Sequence, residues 1–97
     1  MGVMQSESVY KVPKGKLLKI HVEYDEETKV IHMIRIMGDF FMYPEEAVEL
    51  FENALRGVVL ERECVLEKIQ EVMRENRVQC IGLDAEGLTT GIVMCRK

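Results

Sequence analysis

The chain has 97 residues, of which 47% are hydrophobic and 31% are charged, and its formal net charge at pH 7 is −4. These values are typical of one small folded domain. We therefore expect a single domain over residues 1–97, with residues 1–7 disordered. The acidic balance disfavours nucleic acid as a partner. No apolar run reaches the length of a membrane span and the start lacks a signal-peptide core, so we expect a cytoplasmic protein without membrane contact.

The first half of the chain has the pattern of strands. Ser8 to Val12 predicts a short strand, and Pro13 to Lys16 predicts the turn after it. Hydrophobic and polar residues alternate from Leu18 to Tyr24, which is typical of a strand with one buried and one wet face. After a polar connection, Val30 to Met37 is rich in β-branched residues and predicts the returning strand.

The returning strand is apolar on both of its faces. Regular alternation places Ile34 and Ile36 on one face with Val30, and puts Ile31 and Met33 on the other. A strand of this kind needs cover on both sides. The cover is either the later helices or another chain.

Helical patterns follow the strands. Pro44 is predicted to open a helix, because proline is favoured at the first helical position and apolar residues then recur at helical spacing. A second amphipathic helix is predicted from about residue 61 to residue 76. Asp84 to Cys95 favours a short helix, with a strand as the alternative, because its glycines and threonines are poor helix formers. Strands followed by helices predict an α+β fold, a small antiparallel three-stranded sheet with helices packed on one face.

Residues able to carry catalysis are few and scattered. Two histidines, His21 and His32, lie in the predicted strands, and the cysteines Cys64, Cys80 and Cys95 are widely spaced. The spacing of the cysteines argues against a disulfide framework and against a zinc site. The sequence has no phosphate-binding loop. We therefore assign no catalytic residue and no metal ligand to this chain.

Four large hydrophobic residues follow the end of the third predicted strand. They lie between Gly38-Asp39 and Pro44. Two interpretations stay open. In one, the segment is a corner in which Phe40 or Phe41 fills the core. In the other, its aromatic and methionine side chains dock on a partner, since such residues are enriched at the cores of interfaces.

Several of these segments together resemble a known family. They are Lys14-Gly15-Lys16 with the alternating strand after it, Ile34 to Phe41, Pro44 to Glu46, and Ala54 to Gly57. This combination resembles the C-terminal accessory domain of lipoate–protein ligases, from about Val9 onward. As a separate chain it is similar to the small subunit of the split ligase of archaea.

The resemblance implies a fold related to SufE/NifU-like proteins and a role as an accessory subunit that is not catalytic alone. In such a heterodimer, a large catalytic subunit binds ATP, Mg²⁺ and lipoate and makes lipoyl-AMP. The lipoyl group then passes to a lysine of a lipoyl domain or of the glycine-cleavage H protein. This chain alone is expected to bind no cofactor.

Two groups of residues are our candidates within this role. The lysine turn is expected near the anionic groups of the active site: Lys14, Gly15 and Lys16. The segment after the third strand is expected at the subunit interface: Gly38, Asp39, Phe40, Phe41, Met42 and Pro44.

Two alternatives to the ligase role remain. An iron–sulfur or sulfur-transfer scaffold would share the fold, but it needs a cysteine in the loop that here holds Gly38-Asp39. A generic protein-interaction module would have no link to lipoylation.

Overall fold

The computed structural model describes residues 2–13 and 16–96. Eight elements follow one another along these residues: β1 (Val3–Lys11), β2 (Leu17–Asp25), β3 (Ile31–Gly38), β4 (Phe41–Tyr43), α1 (Ala47–Leu55), α2 (Arg62–Asn76), β5 (Gln79–Ile81) and α3 (Ala85–Val93). Strands β1, β2 and β3 form an antiparallel sheet in that order, and β4 pairs with β5 in a separate two-stranded ribbon. The predicted α+β fold is confirmed. No helix in the described ranges is long and apolar enough to cross a membrane.

The core lies between the sheet and the helices. The alternation in β2 turns Leu18, Ile20, Val22 and Tyr24 inward, and all four are fully buried. Burying one such side chain contributes about 1.5–3 kcal/mol, so the inner face of β2 is a main source of stability. The opposite face of the sheet is exposed or half-exposed, with polar residues such as Lys19 and His21 along β2.

Strand β1 is longer than the sequence pattern suggested. It begins at Val3, and its residues pair with β2 from Val3↔Asp25 to Lys11↔Leu17. The prediction that residues 1–7 are disordered is therefore wrong for Val3 to Glu7. The physical reason is that the backbone groups of these residues pair with β2, a strand of nine residues. Backbone pairing does not require a hydrophobic pattern in the residues that pair.

Strand β3 contains an irregularity that changes which side chains are buried. Tyr24 pairs with Ile31 while the preceding Glu23 pairs with Met33, so His32 is an extra residue in the ladder. A bulge of this kind reverses the alternation on either side of it. As a result Ile31 is buried on the core face together with Ile34 and Ile36, and the predicted placement of Ile31 on the opposite face is wrong.

The helices bury the faces that their spacing indicated. Helix α1 begins at Ala47, three residues after the predicted start at Pro44, because residues 44–46 form a turn. The buried residues of α1 and α2 recur at helical spacing: Ala47, Phe51 and Leu55 in α1, and Val65, Ile69 and Val72 in α2.

Helix α3 resolves the ambiguous last segment in favour of a helix. Asp84 caps it, since its Oδ1 accepts a hydrogen bond from the backbone N–H of Gly87 at 2.7 Å. The glycines that weakened the helix prediction have a packing role. A Cβ at Gly91 would overlap the side chain of Leu18, so glycine lets α3 approach β2 closely. Ser8 Oγ then donates a buried hydrogen bond to the Gly91 carbonyl oxygen at 2.6 Å.

Candidate functional site

The ribbon of β4 and β5 carries an exposed apolar face. Phe41 pairs with Ile81, Met42 with Cys80 and Tyr43 with Gln79. Directly opposed residues of an antiparallel pair point to the same side. Phe41, Tyr43, Gln79 and Ile81 therefore share one side, which we call the ribbon face. On that face Phe41 is 69%, Tyr43 70% and Ile81 64% exposed.

The other side of the ribbon holds it against the core. Met42 and Cys80 are half-buried and pack on the core residues. The ribbon is therefore a fixed platform whose apolar outer side is turned to solvent. Exposed apolar surface carried by a rigid element is typical of a protein contact site.

Residues 38–40 connect the sheet to the ribbon. Gly38 ends β3, where a Cβ would overlap the Leu17 carbonyl oxygen. The backbone N–H of Asp39 donates to that same oxygen at 3.1 Å. Phe40 is half-buried against the core, whereas Phe41 points outward. Each of the two interpretations of this segment therefore applies to one residue. Phe40 fills the corner of the core, and Phe41 is exposed and able to contact a partner.

The structure adds residues that the candidate set lacked. Tyr43 belongs to the ribbon face. Phe41 and Tyr43 are two residues apart with the inward Met42 between them, and in a strand this spacing indicates that both point to the same side. Ile81 lies 40 positions beyond Phe41 in the sequence, and only the pairing of β4 with β5 brings the two together. Pro44 is half-buried at the end of the ribbon.

The lysine turn is only partly described. Lys14 and Gly15 lie outside the described residues, whereas Lys16 lies beside β5 and α3. The stem of Lys16 packs over Gly82, where a Cβ would lie 2.8 Å from the lysine Cγ. Gly82 has a φ of 87°, a backbone conformation that favours glycine. Lys16 and the end of the ribbon are therefore neighbours.

A groove of about 470 Å³ opens next to Lys16. One wall comes from the end of β1 and the other from the start of α3, with the lining residues Tyr10, Val12, Pro13, Lys16, Gly82, Leu83, Asp84, Glu86, Gly87 and Thr90. The carboxylates of Asp84 and Glu86 share this groove with Lys16, so they weaken its attraction for an anion. The mixed polar and apolar lining suits a peptide segment better than a phosphate.

His21 is a titratable side chain with two carboxylates near it. His21 lies on the open face of the sheet, with Nδ1 3.3 Å from Glu7 Oε2 and Nε2 3.9 Å from Glu23 Oε2. The Nδ1 atom is not aligned for a hydrogen bond with Glu7, so the contact is an ion pair only when the imidazole is protonated. Across residues 2–13 and 16–96, no three His, Cys, Asp or Glu side chains converge as metal ligands.

The three thiols are unpaired. Burial raises the pKa of the Cys80 thiol above its ordinary value, and the negative charge of Asp84 adds to the effect. Burial also raises the pKa of Cys95. A raised pKa keeps a thiol protonated and makes it a poor nucleophile. Cys64 is exposed on α2, where Glu67 and Lys68 line the same shallow pocket.

Comparison with known families identifies the family of this chain. Residues 10–90 match the family described as bacterial lipoate protein ligase C-terminus. The chain belongs to this family. It is 36% identical over 75 residues to lipoate-protein ligase A subunit 2 of Thermoplasma acidophilum, a match that covers 77% of this chain and 69% of that protein.

A solved structure agrees with the family assignment. The fold superposes with a TM-score of 0.80 on a chain from the structure of an archaeal lipoylation system, a bi-partite lipoate protein ligase and its E2 lipoyl domain from Thermoplasma acidophilum. The identity is 26%, and the match covers 94% of this chain and 97% of that chain. These similarities favour the ligase family over the sulfur-transfer scaffold and over a generic interaction module.

Proposed function

We propose that this chain is the non-catalytic small subunit of a two-chain lipoate–protein ligase. The observation that carries the proposal is the match of 94% of the chain to a chain from the bi-partite ligase structure. The relative named subunit 2 supports the same role. The scattered titratable groups fit it as well, because such a subunit acts through the active site of its partner.

The large subunit supplies the chemistry in this proposal. It binds ATP, Mg²⁺ and lipoate, forms lipoyl-AMP, and passes the lipoyl group to a lysine of a lipoyl-domain or glycine-cleavage H protein. Forming the adenylate develops charge on phosphate groups in a site that must exclude water. A rigid domain that closes over such a site, or stabilises its closed form, raises the rate of activation.

The ribbon face is the surface we propose for the contact with the large subunit. Two aromatic rings and an isoleucine lie there on a ribbon that is already anchored by Met42 and Cys80. Anchored aromatic side chains lose little conformational entropy on binding, and they dominate the binding energy of many interfaces. Gly38, Asp39 and Phe40 would act by holding the ribbon in place, and Phe41 by direct contact.

The lysine turn is proposed as the part nearest to the anionic groups of the partner's active site. Lys14 and Lys16 would supply positive charge to that site, and Lys16 lies at the end of the ribbon. Since Asp84 and Glu86 lie near Lys16, their field reduces the net attraction. The effect of the turn is therefore expected to be smaller than that of the ribbon face.

Lipoate-dependent release of pyrophosphate tests the proposed function. The rate is measured with the large subunit alone and after addition of this chain. A large stimulation is expected. An absence of stimulation, with a large subunit that is folded and binds lipoate, would remove the proposal.

A second assay tests the lysine turn. The double variant Lys14→Ala and Lys16→Ala should stimulate pyrophosphate release less than the wild-type chain does. Lys68→Ala is the matched control, because Lys68 lies on α2 and its ion pair with Glu71 at 3.6 Å is a surface pair of little energetic value. Equal rates for the double variant and the control would exclude the turn from the active site.

We further propose that the complex works in the cytoplasm. The three free cysteines fit a reducing compartment. Co-fractionation of the chain with cytoplasmic lipoyl proteins is the expected result, and recovery from the membrane fraction would contradict it.

A further inference from the structure

The two edges of the three-stranded sheet differ in how they are protected. The hydrogen bond from Asp39 N–H to the Leu17 oxygen shows which residue pairs of the β2–β3 ladder exchange hydrogen bonds, an alternation that we call the phase of the ladder. Alternate pairs of an antiparallel ladder exchange hydrogen bonds, and the backbone groups of the pairs between them point outward. In β3 the outward residues are therefore Ile34, Ile36 and Gly38.

The chain itself covers much of the β3 edge. Ile31 N–H donates to the Val58 oxygen at 2.8 Å, and Gly57 N–H donates to the Ile31 oxygen at 2.8 Å. Further along, Ile36 N–H donates to Glu52 Oε2 at 2.9 Å. A nearby loop and a carboxylate thus occupy the positions that an additional strand would use, as is common at protected sheet edges.

The described part of the chain places no such cover on the β1 edge. The same phase makes Ser6 and Ser8 bond to β2, so the N–H and C=O groups of Gln5, Glu7 and Val9 point outward. Among residues 2–13 and 16–96, these outward groups have no hydrogen-bond partner. A nine-residue strand with an open edge is a ready template for another strand.

A groove accompanies this open edge. The groove of about 470 Å³ described above is lined by Tyr10 and Val12 from the end of β1, and by Gly87 and Thr90 from α3. A strand added beside β1 would direct alternate side chains toward this groove. Main-chain hydrogen bonds with pockets for alternate side chains are the features of recognition by strand addition.

We propose that the open edge of β1 binds an extended segment of the catalytic ligase chain, which adds to the sheet as a fourth strand. This inference rests on the function proposed above. The matched family is described as the C-terminus of bacterial lipoate protein ligases, so in those relatives the remainder of the ligase precedes the matched region. The groove is also continuous with the proposed contact surface, because Gly82 lines it directly after Ile81 of the ribbon face.

Backbone hydrogen exchange tests the proposal residue by residue. Exchange is followed by NMR on the labelled full chain, first free and then with the large subunit. The amides of Gln5, Glu7 and Val9 should exchange quickly in the free chain and at least about tenfold more slowly in the complex. The outward amide of Ile34 on the other edge is the matched control and should not change.

The outcomes separate this inference from the proposed function. If pyrophosphate release is stimulated but the three amides stay unprotected in the complex, the strand addition is refuted and the function stands. If the large subunit neither binds nor responds, the proposed function fails first. If the amides are already protected in a free chain that is dimeric in solution, the occupant is a second copy and the proposal is overturned.

A pair of variants gives an independent measurement. Val9→Pro removes one outward N–H and is tolerated best at a sheet edge, whereas Val9→Thr keeps the N–H and the β-branched shape. Loss of one hydrogen bond should weaken binding to the large subunit by about 2- to 10-fold for the proline variant only. Equal affinities for two folded variants would overturn the proposal. Should the proline variant unfold, the exchange measurement decides.

Discussion

Replacing Phe41 by alanine is the most direct perturbation of the ribbon face. The ring is 69% exposed, and a phenylalanine buries about 200 Å² when fully covered, so a partner can remove about 140 Å² more from water. At about 25 cal/mol per Å² this corresponds to about 3.5 kcal/mol, of which truncation to alanine loses about 2–3 kcal/mol. The Kd for the large subunit should rise by about 30- to 150-fold.

The same substitution should leave the fold intact. Because the ring of Phe41 contributes little to the core, the thermal unfolding midpoint of the variant is expected to match that of the wild-type chain. Binding to the large subunit is measured by titration calorimetry, and stimulation of pyrophosphate release is measured in parallel. Both should fall together, since the stimulation depends on the complex.

Met94→Ala is the matched control for this experiment. Met94 is 49% exposed and lies just after α3, at the end of the helix away from β5. Its removal should change the Kd little. Equal Kd values for Phe41→Ala and the wild-type chain, or equal losses for both variants, would refute the placement of the interface on the ribbon face.

Three further predictions concern stability and reactivity. Gly91→Ala should lower the free energy of unfolding, measured in urea, by about 1 kcal/mol. Overpacking against the sheet costs about 1–3 kcal/mol, and the higher helix propensity of alanine offsets about 1 kcal/mol of this cost. An unchanged urea midpoint would show that α3 can move away from the sheet at no cost. The backbone N–H of Thr28 is the main cause that holds the pKa of Asp25 below its ordinary value. The stabilisation from Asp25 is therefore fully present above the ordinary pKa and is lost as the pH falls through the lowered folded pKa, so Asp25→Ala should flatten the acid limb of a plot of unfolding midpoint against pH, and an unaltered limb would contradict this. Cys95, with its raised pKa and full burial, should react with iodoacetamide far more slowly than the exposed Cys64 in the native chain, as followed by mass spectrometry, and equal rates would contradict its burial.

The sequence alone determined the class of fold and the inward faces of most elements. Alternation in β2 and helical spacing in α1 and α2 are local properties, because each side chain's direction follows from the geometry of its own backbone. The resemblance to the family could also be seen in the sequence, since Gly38-Asp39-Phe40-Phe41 and the segment Ala54 to Gly57 at the end of α1 are each contiguous in the chain. The candidate segment from Gly38 to Pro44 came from the same local pattern.

Tertiary structure decided what depends on distant partners. Strand β1 begins at Val3 because β2 offers backbone groups for it to pair with. At the bulge, β3 has one more residue than the stretch of β2 that it pairs with, and the extra residue, His32, turns Ile31 inward. Ile81 joins Phe41 only through the pairing of β4 with β5. The open edge of β1 likewise follows from which strands the chain places beside it. These features come from hydrogen bonds between residues far apart in sequence, and a pattern within one segment contains no information about its partner.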